Sequence, residues 1–330
     1  MPLVLTTDWF LANFKSRFEN IAAGSWLQTI TLPSDGSRLA AAQLDQVEVA
    51  FFHGDFRSDA SYTRRFFGTT LNAPSLRWMH LPNSGVDDPV FARLLSRGVR
   101  LTTSPGAAAE PIAHSAVAGL LALARGFPYW IDAQRRHAWE DHPPARMPRD
   151  LRGQKLILLG VGAIGRQIGR LAQAFGLHVI GIRRSPRADF DPVDEMHPPS
   201  KLLDLLPQAD WLVVTCPLTD ATRGLIDCAA LARLPRTAHV INVARGQIIE
   251  QLAMIAALQR GDLAGAYLDV FESEPLPADS PLWDLPNVLI SPHDSGASTG
   301  NAFRASELFL ENLTRWLRGE KLANELSRLA

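Results

Sequence analysis

Alternating apolar runs and helical patterns predict an α/β protein built on a doubly wound parallel sheet, with a second, smaller α/β domain. The clearest signal is the run Lys-Leu-Ile-Leu-Leu at 155–159, which is typical of a parallel strand covered on both faces. Further apolar runs recur at 178–182, 211–215, 239–243, 265–270 and 288–291, with helical stretches between several of them. Such repeated strand–helix units imply parallel strands, because a parallel connection needs a crossover.

The first hundred residues repeat this pattern on a smaller scale. Strands are predicted at 47–52, 76–81 and 99–103. A helix is predicted at 91–97, and Gly98 is its expected end. These elements predict a separate α/β domain at the start of the chain.

A long helical pattern runs from Glu110 to about Trp139. Pro111 suits the start of a helix, where its missing N–H is not needed. Pro128 is expected to kink or break the helix. The last helix is predicted at about 301–318 and is amphipathic.

Size and charge limit the possible partners. A chain of 330 residues with 46% hydrophobic residues fits about two domains, at roughly 150 residues each. The formal net charge is -1, so neither a nucleic-acid partner nor a polybasic membrane anchor is expected. No apolar stretch approaches the roughly 20 residues that span a bilayer, and the first residues do not read as a signal peptide.

The two cysteines, Cys216 and Cys228, are too few for a disulfide framework. They suit a reducing, cytoplasmic location and are interpreted as packed thiols. The histidines and acids at 137–142 lack a recognised ligand spacing, so no metal site is expected.

The run Gly160-Val161-Gly162-Ala163-Ile164-Gly165 follows the strand at 155–159 and opens a predicted helix at 164–175. The pattern G-x-G-x-x-G between a strand and a helix is typical of dinucleotide-binding (Rossmann) domains. Its first glycine permits a tight turn, its second lets the backbone approach a pyrophosphate, and its third lets helix and strand pack closely. A simple strand-to-helix turn does not require this spacing, so a bound nicotinamide dinucleotide is predicted.

The next strand ends in Arg183 and Arg184. An NAD enzyme normally offers Asp or Glu there to the ribose 2′-hydroxyl. A carboxylate would repel a 2′-phosphate, whereas guanidinium groups form charge-assisted, bidentate bonds to it. Two arginines that merely solvate the strand end are the alternative. The missing acid and the added bases both favour NADP(H) over NAD(H).

Arg245, Glu274 and His293 each follow one of the last three predicted strands. Because ligands bind beyond the carboxyl ends of the strands in such a sheet, we expect these side chains at the same edge as the glycine turn. Reduction of a 2-keto acid needs a cation for the carboxylate, which Arg245 supplies, and a proton donor for the carbonyl oxygen. The imidazole of His293 suits proton donation near neutral pH. A neighbouring carboxylate, Glu274, would favour the imidazolium form and orient the ring.

Six short motifs occur in order: Asn83-Ser84-Gly85-Val86-Asp87, Pro217-Leu218-Thr219, Thr222-Arg223-Gly224-Leu225-Ile226, Asn242-Val243-Ala244-Arg245-Gly246, the segment 269–275 and Ser291-Pro292-His293. With them the sequence resembles the D-isomer-specific 2-hydroxyacid dehydrogenase family, which includes glyoxylate/hydroxypyruvate reductases, phosphoglycerate dehydrogenase and D-lactate dehydrogenase. The resemblance covers the chain from about Leu76 to the end.

The resemblance implies roles for the matching residues. Arg245, Glu274 and His293 would be the catalytic set, and the backbone around Ser84, Gly85 and Val86 would hold the substrate carboxylate together with Arg245. The cofactor would be bound by the glycine turn and the two arginines. It would also be bound by a second group of residues: Pro217, Thr222, Val243 and Asp269. Of these, Val243 and Asp269 would lie against the nicotinamide end.

The resemblance also implies the domain organisation. A discontinuous, flavodoxin-like substrate domain would comprise 1–101 and 294–330, and the dinucleotide-binding domain would comprise 102–293. Family members are usually homodimers, joined largely through the dinucleotide domain. The chain departs from the family at His114, which is interpreted as a packing or dimer-contact residue, and at Asp294 beside His293, to which no role is assigned.

The sequence thus predicts an oxidoreductase that transfers hydride between NADP(H) and C2 of a small 2-keto or 2-hydroxy acid such as glyoxylate or hydroxypyruvate. Two alternatives stay open. Transcriptional corepressors that sense dinucleotides have the same fold and keep the catalytic trio, and phosphite dehydrogenase has a similar trio.

Overall fold

The computed structural model describes residues 1–53, 59–82, 85 and 88–326. The chain divides into two units, one formed by 1–108 with 298–330 and the other by 109–297. The predicted boundaries, at 101 and 293, lie a few residues before these. The assignment of substrate and cofactor to the two units stays a prediction.

Twelve strands and eleven α-helices lie in the described part of the chain. The strands are β1 (Leu3–Thr6), β2 (Gln28–Thr31), β3 (Val47–Phe51), β4 (Trp78–His80), β5 (Arg100–Thr102), β6 (Lys155–Leu159), β7 (His178–Ile182), β8 (Glu195–His197), β9 (Trp211–Val214), β10 (His239–Asn242), β11 (Gly265–Leu268) and β12 (Val288–Ile290). The helices are α1 (Asp8–Ala22), α2 (Ala41–Leu44), α3 (Ala60–Asn72), α4 (Pro89–Ser96), α5 (Ala109–Ala124), α6 (Phe127–Arg135), α7 (Ala163–Ala174), α8 (Leu202–Leu205), α9 (Cys228–Leu231), α10 (Gln251–Arg260) and α11 (Asn301–Leu317).

The first unit is a five-stranded parallel sheet in the order β2-β1-β3-β4-β5. This is the flavodoxin-like strand order. One face is packed by α1 and α11, whose Phe10 and Phe309 are fully buried, and the other by α3 and α4, through residues such as Phe66 and Leu94. The strands are therefore covered on both faces, as their apolar sequences require.

The second unit is a seven-stranded parallel sheet in the order β12-β11-β10-β9-β6-β7-β8. Successive strands run outward from β6 in one direction as far as β8, and the chain then returns to β9 on the other side of β6. This reversal is the topological switch point of a doubly wound sheet, where ligands bind beyond the strand ends. The predicted fold class is confirmed.

The long helical pattern after Glu110 forms two helices, as the proline in it predicts. α5 ends before Gly126, which adopts a left-handed conformation with φ of 70°. Pro128 lies in the first turn of α6, where a proline is tolerated. The break therefore falls just before the proline.

The two cysteines differ in environment. Cys216 is buried, and burial raises the pKa of its thiol to about 11. Cys228 is exposed at the start of α9, so the interpretation of both as packed thiols is wrong for this one. Across the described ranges, no helix combines the length and apolar character needed to cross a bilayer.

Candidate active site

The glycine turn lies directly after β6, at the switch point of the seven-stranded sheet. Gly160 has φ of 102°, a conformation that side chains rarely adopt, and a Cβ there would lie 2.6 Å from the backbone nitrogen of Cys216. A Cβ on Gly165 would lie 2.2 Å from the carbonyl oxygen of Gly160, so helix α7 packs against the turn as closely as the motif requires. Both glycines are needed by the protein's own packing.

Gly162 differs, because a Cβ at this residue would meet no protein atom within 4 Å. It is the N-cap of α7 and gives the helix no side-chain cap. The first-turn amides of α7, at Ala163 and Ile164, have no acceptor within the helix, because the first four N–H groups of any helix lack one. Backbone N–H groups and the helix dipole at such a terminus bind phosphate. The open position at Gly162 is where the pyrophosphate of a dinucleotide would approach these amides.

Arg183, at the end of β7, is held by protein groups. Its guanidinium donates to Asp191 at 2.7 and 3.2 Å and to the carbonyl oxygen of Val161 at 3.1 Å. The Asp191 side chain is fully buried and also accepts from Arg166 at 2.8 Å. Burial opposes ionisation of Asp191, but the hydrogen bonds from Ala188 and the two arginines keep its pKa at about 2.

Arg184 is exposed and makes no hydrogen bond or ion pair with any residue in the described ranges. The two arginines that the sequence groups together therefore have different environments. Arg183 ties the loop after β7 to the glycine turn, whereas the Arg184 guanidinium is available to a ligand.

Pro217 and Thr222 lie in the loop after β9, the strand next to β6. Pro217 is exposed. The Thr222 hydroxyl donates to the carbonyl oxygen of Pro217 at 2.7 Å and accepts from the backbone nitrogen of Thr219 at 2.8 Å. The Thr222 hydroxyl is therefore engaged within this loop and fixes its shape.

The ends of β6, β9, β10, β11 and β12 are joined by backbone hydrogen bonds that continue beyond the strands. The bonds run from Thr215 to Leu159, from Val243 to Val214, from Asp269 to Asn242 and from Ser291 to Leu268, at 2.9–3.3 Å. The predicted residues Val243, Arg245, Asp269 and His293 therefore follow adjacent strands at one edge. Val243 and Asp269 are buried.

Arg245 lies in the turn that follows β10. Its backbone carbonyl accepts from the Asn242 side chain at 3.1 Å, and its guanidinium donates to the carbonyl of Ala244 at 2.7 Å. At the next residue, a Cβ on Gly246 would lie 1.9 Å from the carbonyl carbon of Phe271. The arginine turn therefore packs directly on the acidic loop that follows β11.

Glu274 and His293 form a hydrogen-bonded pair. Nδ1 of His293 lies 2.6 Å from Oε2 of Glu274, and each side chain is about one-third exposed, at 32% and 31%. The other oxygen of Glu274 accepts from the backbone nitrogen of Phe271 at 3.1 Å, which fixes the carboxylate within its loop. Because Nδ1 faces Glu274, Nε2 is the ring nitrogen through which His293 would exchange a proton with a substrate.

The predicted substrate loop lies mostly outside the described residues. Of its members, Ser84 and Val86 are not described, and Gly85 is partly buried. The strand that leads into this loop ends in His80, whose ring nitrogens lie 2.7 Å from the Thr102 hydroxyl and 2.9 Å from the Ser104 hydroxyl. Burial lowers the pKa of His80 to about 3, so this imidazole is neutral.

Sequence reasoning assigned no role to three polar residues at the strand-end edge. Asp191 holds Arg183, and Ser291 and Ser295 both donate to the buried carboxylate of Asp269. Ser291 belongs to the motif Ser291-Pro292-His293, but its bond to Asp269 could not be read from that motif, because the two residues are 22 positions apart in sequence. No motif marks Asp191 or Ser295.

A glycine turn at the switch point and a Glu–His pair on the same sheet edge define a dinucleotide-dependent oxidoreductase. The chain belongs to the D-isomer-specific 2-hydroxyacid dehydrogenase family. Residues 117–295 match the family model described as "D-isomer specific 2-hydroxyacid dehydrogenase, NAD binding domain". The protein is accordingly an NAD(P)-dependent 2-hydroxyacid dehydrogenase, as the sequence predicts.

Similar proteins agree with this assignment. The glyoxylate reductase of Korarchaeum cryptofilum is 36% identical over 254 residues, which cover 75% of each chain. The structure of a D-isomer-specific 2-hydroxyacid dehydrogenase from Xanthobacter autotrophicus, in complex with NADPH and MES, is 30% identical with a TM-score of 0.75, covering 99% of this chain and 98% of that one. An NADPH-dependent glyoxylate/hydroxypyruvate reductase from Sinorhizobium meliloti, in complex with citrate, is 26% identical with a TM-score of 0.75 and the same coverage.

Proposed function

We propose that this dehydrogenase reduces a small 2-keto acid of the glyoxylate or hydroxypyruvate type and that it prefers NADPH to NADH. The Glu274–His293 pair, at the edge that also carries the glycine turn, is the observation that carries the reaction type. The relatives named as glyoxylate reductases, and the similar structure named as an NADPH-dependent glyoxylate/hydroxypyruvate reductase, support the substrate and the cofactor.

The proposed chemistry uses three side chains. When bound, the reduced nicotinamide supplies a hydride to C2 of the substrate. His293 donates the balancing proton from Nε2 to the carbonyl oxygen, which becomes the hydroxyl of the product. Glu274 stabilises the imidazolium through Nδ1 and fixes the ring plane. Arg245 binds the carboxylate and polarises the carbonyl.

Cofactor preference is assigned to the loop after β7. Arg184 would bind the 2′-phosphate directly, since its guanidinium is exposed. Arg183 would act indirectly, because its contacts with Asp191 and Val161 hold the loop against the glycine turn. The only acidic side chain that contacts this arginine within the described ranges is Asp191, which is fully buried and neutralised by two arginines. The carboxylate of Asp191 is therefore not accessible to repel a 2′-phosphate.

A homodimer is also proposed, with a second copy of this chain as the partner. The support is a set of exposed apolar side chains on α6 and just beyond it. These are Phe127, Trp130, Ile131 and Trp139, with exposed fractions of 47%, 38%, 39% and 99%. Phe127 and Trp130 lie together on α6, with their ring centroids 5.6 Å apart. Large apolar side chains that are exposed near one another in the chain are typical of an interface. Its place in the second unit agrees with the dimer that the family resemblance implies.

The direct test follows the oxidation of NADPH and of NADH with glyoxylate, hydroxypyruvate, pyruvate and a bulky 2-keto acid. Turnover of the small acids with a higher kcat/KM for NADPH is expected. Intact NADPH binding without turnover of any acid would favour a dinucleotide-sensing binding protein. Reduction of NADP+ by phosphite, without 2-keto acid turnover, would favour a phosphite dehydrogenase.

A further inference from the structure

His53 is a half-buried imidazole that the proposed chemistry does not use. It follows β3 at the carboxyl end of the five-stranded sheet, where β3 lies between β1 and β4. In a sheet of this flavodoxin-like order the winding reverses between β1 and β3, and ligands bind beyond the strand ends at that switch point. His53 therefore occupies the position in its unit at which a ligand is expected.

The neighbouring strand, β4, leads into the predicted substrate loop. Phe51 of β3 pairs with His80 of β4, and neighbouring strands are about 4.8 Å apart. His53 and Pro82 each lie two residues beyond this pair, and Pro82 directly precedes the segment 83–87. The family resemblance assigns the backbone of that segment to the substrate carboxylate. His53 is therefore beside the start of the predicted substrate loop.

The ring of His53 is held in place on two sides. It stacks on Trp9 of α1, with the ring centroids 4.4 Å apart and the planes parallel within 1°. Trp9 in turn contacts the ring of Phe303 edge-on at 5.0 Å. Nδ1 of His53 lies 2.5 Å from the hydroxyl of Thr7, the residue that follows β1. These contacts fix both the position and the plane of the imidazole.

The bond to Thr7 also determines which ring nitrogen carries the proton. Thr7 is the N-cap of α1, and its hydroxyl oxygen accepts from the backbone nitrogen of Phe10 at 3.3 Å. Thr7 is only 4% exposed, and within the described ranges Nδ1 of His53 is the one acceptor for its hydroxyl proton. A buried hydroxyl needs such an acceptor, so the proton of the neutral imidazole lies on Nε2.

Nε2 of His53 is thus a fixed, uncharged donor. Burial lowers the pKa of His53 to about 4, so the ring is neutral at physiological pH. In the part of the chain that the structure describes, Nε2 makes no hydrogen bond. The substrate carboxylate and the keto oxygen are already assigned to Arg245, the substrate loop and His293. In a three-carbon 2-keto acid, the polar group that has no partner is then the oxygen on C3.

We propose that His53 is a specificity-determining residue, which donates a hydrogen bond from Nε2 to the C3 oxygen of a substrate of the hydroxypyruvate type. This inference rests on the proposed function and on the predicted substrate loop. Pyruvate has a methyl group at C3 and glyoxylate has no C3, so neither can accept this bond. A site that offers a donor to a substrate hydroxyl discriminates against the analogue that lacks it, because the donor is left unpaired.

The test compares His53→Phe and His53→Gln with His239→Phe as the matched control. Phenylalanine keeps a ring against Trp9 but has no donor, whereas the glutamine amide keeps an N–H donor. His239 also stacks on a tryptophan, Trp211, at 4.4 Å, and burial also lowers its pKa to about 4. It begins β10 in the other unit, at the opposite end of a strand.

Each variant is assayed with NADPH for kcat/KM on hydroxypyruvate, pyruvate and glyoxylate between pH 6 and 9, and for Tm. The wild type should prefer hydroxypyruvate to pyruvate about tenfold or more. His53→Phe should lower kcat/KM for hydroxypyruvate about tenfold without lowering it for the other two acids. His53→Gln should keep part of the preference, and His239→Phe should keep all of it. The preference should not change with pH, because the ring stays neutral in this range.

Three outcomes would overturn the role of His53. An unchanged ratio of hydroxypyruvate to pyruvate activity in His53→Phe would exclude a contact with C3. Equal losses on all three acids would show a general structural effect. A wild type that reduces glyoxylate but does not distinguish hydroxypyruvate from pyruvate would remove this inference alone, whereas a wild type that reduces none of the acids would remove the proposed function with it.

Discussion

Nδ1 of His293 lies 2.6 Å from Oε2 of Glu274, and the second oxygen of that glutamate is held by the backbone of Phe271. The histidine ring is thus fixed from one side by a carboxylate that itself has little freedom. Such a partner stabilises the imidazolium form and limits rotation of the ring. The charge of Glu274 and the fixed position of the ring both favour proton donation during reduction of the substrate.

Glu274→Gln should lower kcat for 2-keto acid reduction about a hundredfold, the lower range for loss of general acid catalysis. The amide keeps a hydrogen bond to the ring but not the charge that favours imidazolium. Steady-state kinetics of 2-keto acid reduction by this variant and the wild type measures the loss.

Glu272→Gln is the control for this variant, because Glu272 belongs to the same loop but accepts from the backbone of Gln251. Its kcat should match that of the wild type. A wild-type kcat in Glu274→Gln, or equal losses of kcat in both variants, would contradict the assigned role of Glu274.

Arg184→Ala should raise the KM for NADPH about tenfold and leave the KM for NADH within about twofold, because one charge-assisted contact to the 2′-phosphate is lost. Steady-state kinetics with both cofactors gives the comparison. Equal changes in the two KM values would argue against a 2′-phosphate contact.

Arg183→Ala should behave differently, since this side chain bonds to the buried Asp191. Leaving that carboxylate short of a donor should lower the free energy of unfolding by about 1–3 kcal/mol. Denaturant unfolding measures it. Wild-type stability in this variant, with a selective loss of NADPH binding, would show that Arg183 is a direct ligand after all.

The different environments of Arg183 and Arg184 could not be predicted from the sequence. The sequence supplied two adjacent arginines and a missing acid, but not the partner that distinguishes them, since Asp191 reaches Arg183 only after the loop has folded back. The strands at Lys155–Leu159 and His178–Ile182 were predicted to the residue, because a strand covered on both faces is a continuous apolar run. Edge strand β2, with the polar sequence Gln-Thr-Ile-Thr, gives no such signal.

In the candidate active site, too, only the residues with a local sequence pattern could be predicted. Arg245, Glu274 and His293 were found because each follows a recognisable strand, and the structure joins Glu274 to His293 directly. The left-handed turn around His293 was not predicted, since it depends on hydrogen bonds that the backbone of Asp294 and Ser295 donates to Asp269, more than twenty residues earlier in the sequence. Backbone strain that is maintained by distant partners leaves no local pattern.

The free energy of unfolding should fall as the pH drops below about 6.5. His80 is buried, with its pKa lowered to about 3, whereas an unfolded histidine titrates near 6.5. Between these values the unfolded chain binds a proton that the native protein does not, so stability is complete above the unfolded pKa and is lost as the pH falls. The contribution of this residue is about 1.4 kcal/mol per pH unit.

Urea unfolding at pH 7, 6 and 5 measures this slope. His80→Asn should reduce the slope by about one proton between pH 6 and 5, whatever its effect on absolute stability. His114→Asn, which changes a histidine that is 58% exposed, should leave it unchanged. An identical slope in the wild type and His80→Asn would contradict a neutral buried imidazole.

Trp139→Glu should shift the protein from dimer to monomer in sedimentation velocity, because a charge would be buried in the proposed interface. In the single chain this tryptophan is 99% exposed. Trp26→Glu is the matched control, as Trp26 is 76% exposed but lies in the other unit. A monomeric wild type, or a dimer that persists in Trp139→Glu, would count against this interface.

The proton-transfer role of His293 is tested by kcat for glyoxylate reduction by His293→Ala, measured together with the Kd of NADPH for the same variant. We expect a kcat lower by about 10²–10⁴-fold with an essentially unchanged Kd, because the ring would donate the proton but would not hold the dinucleotide. Full activity in this variant, or a loss of activity that is explained by lost NADPH binding, would contradict it.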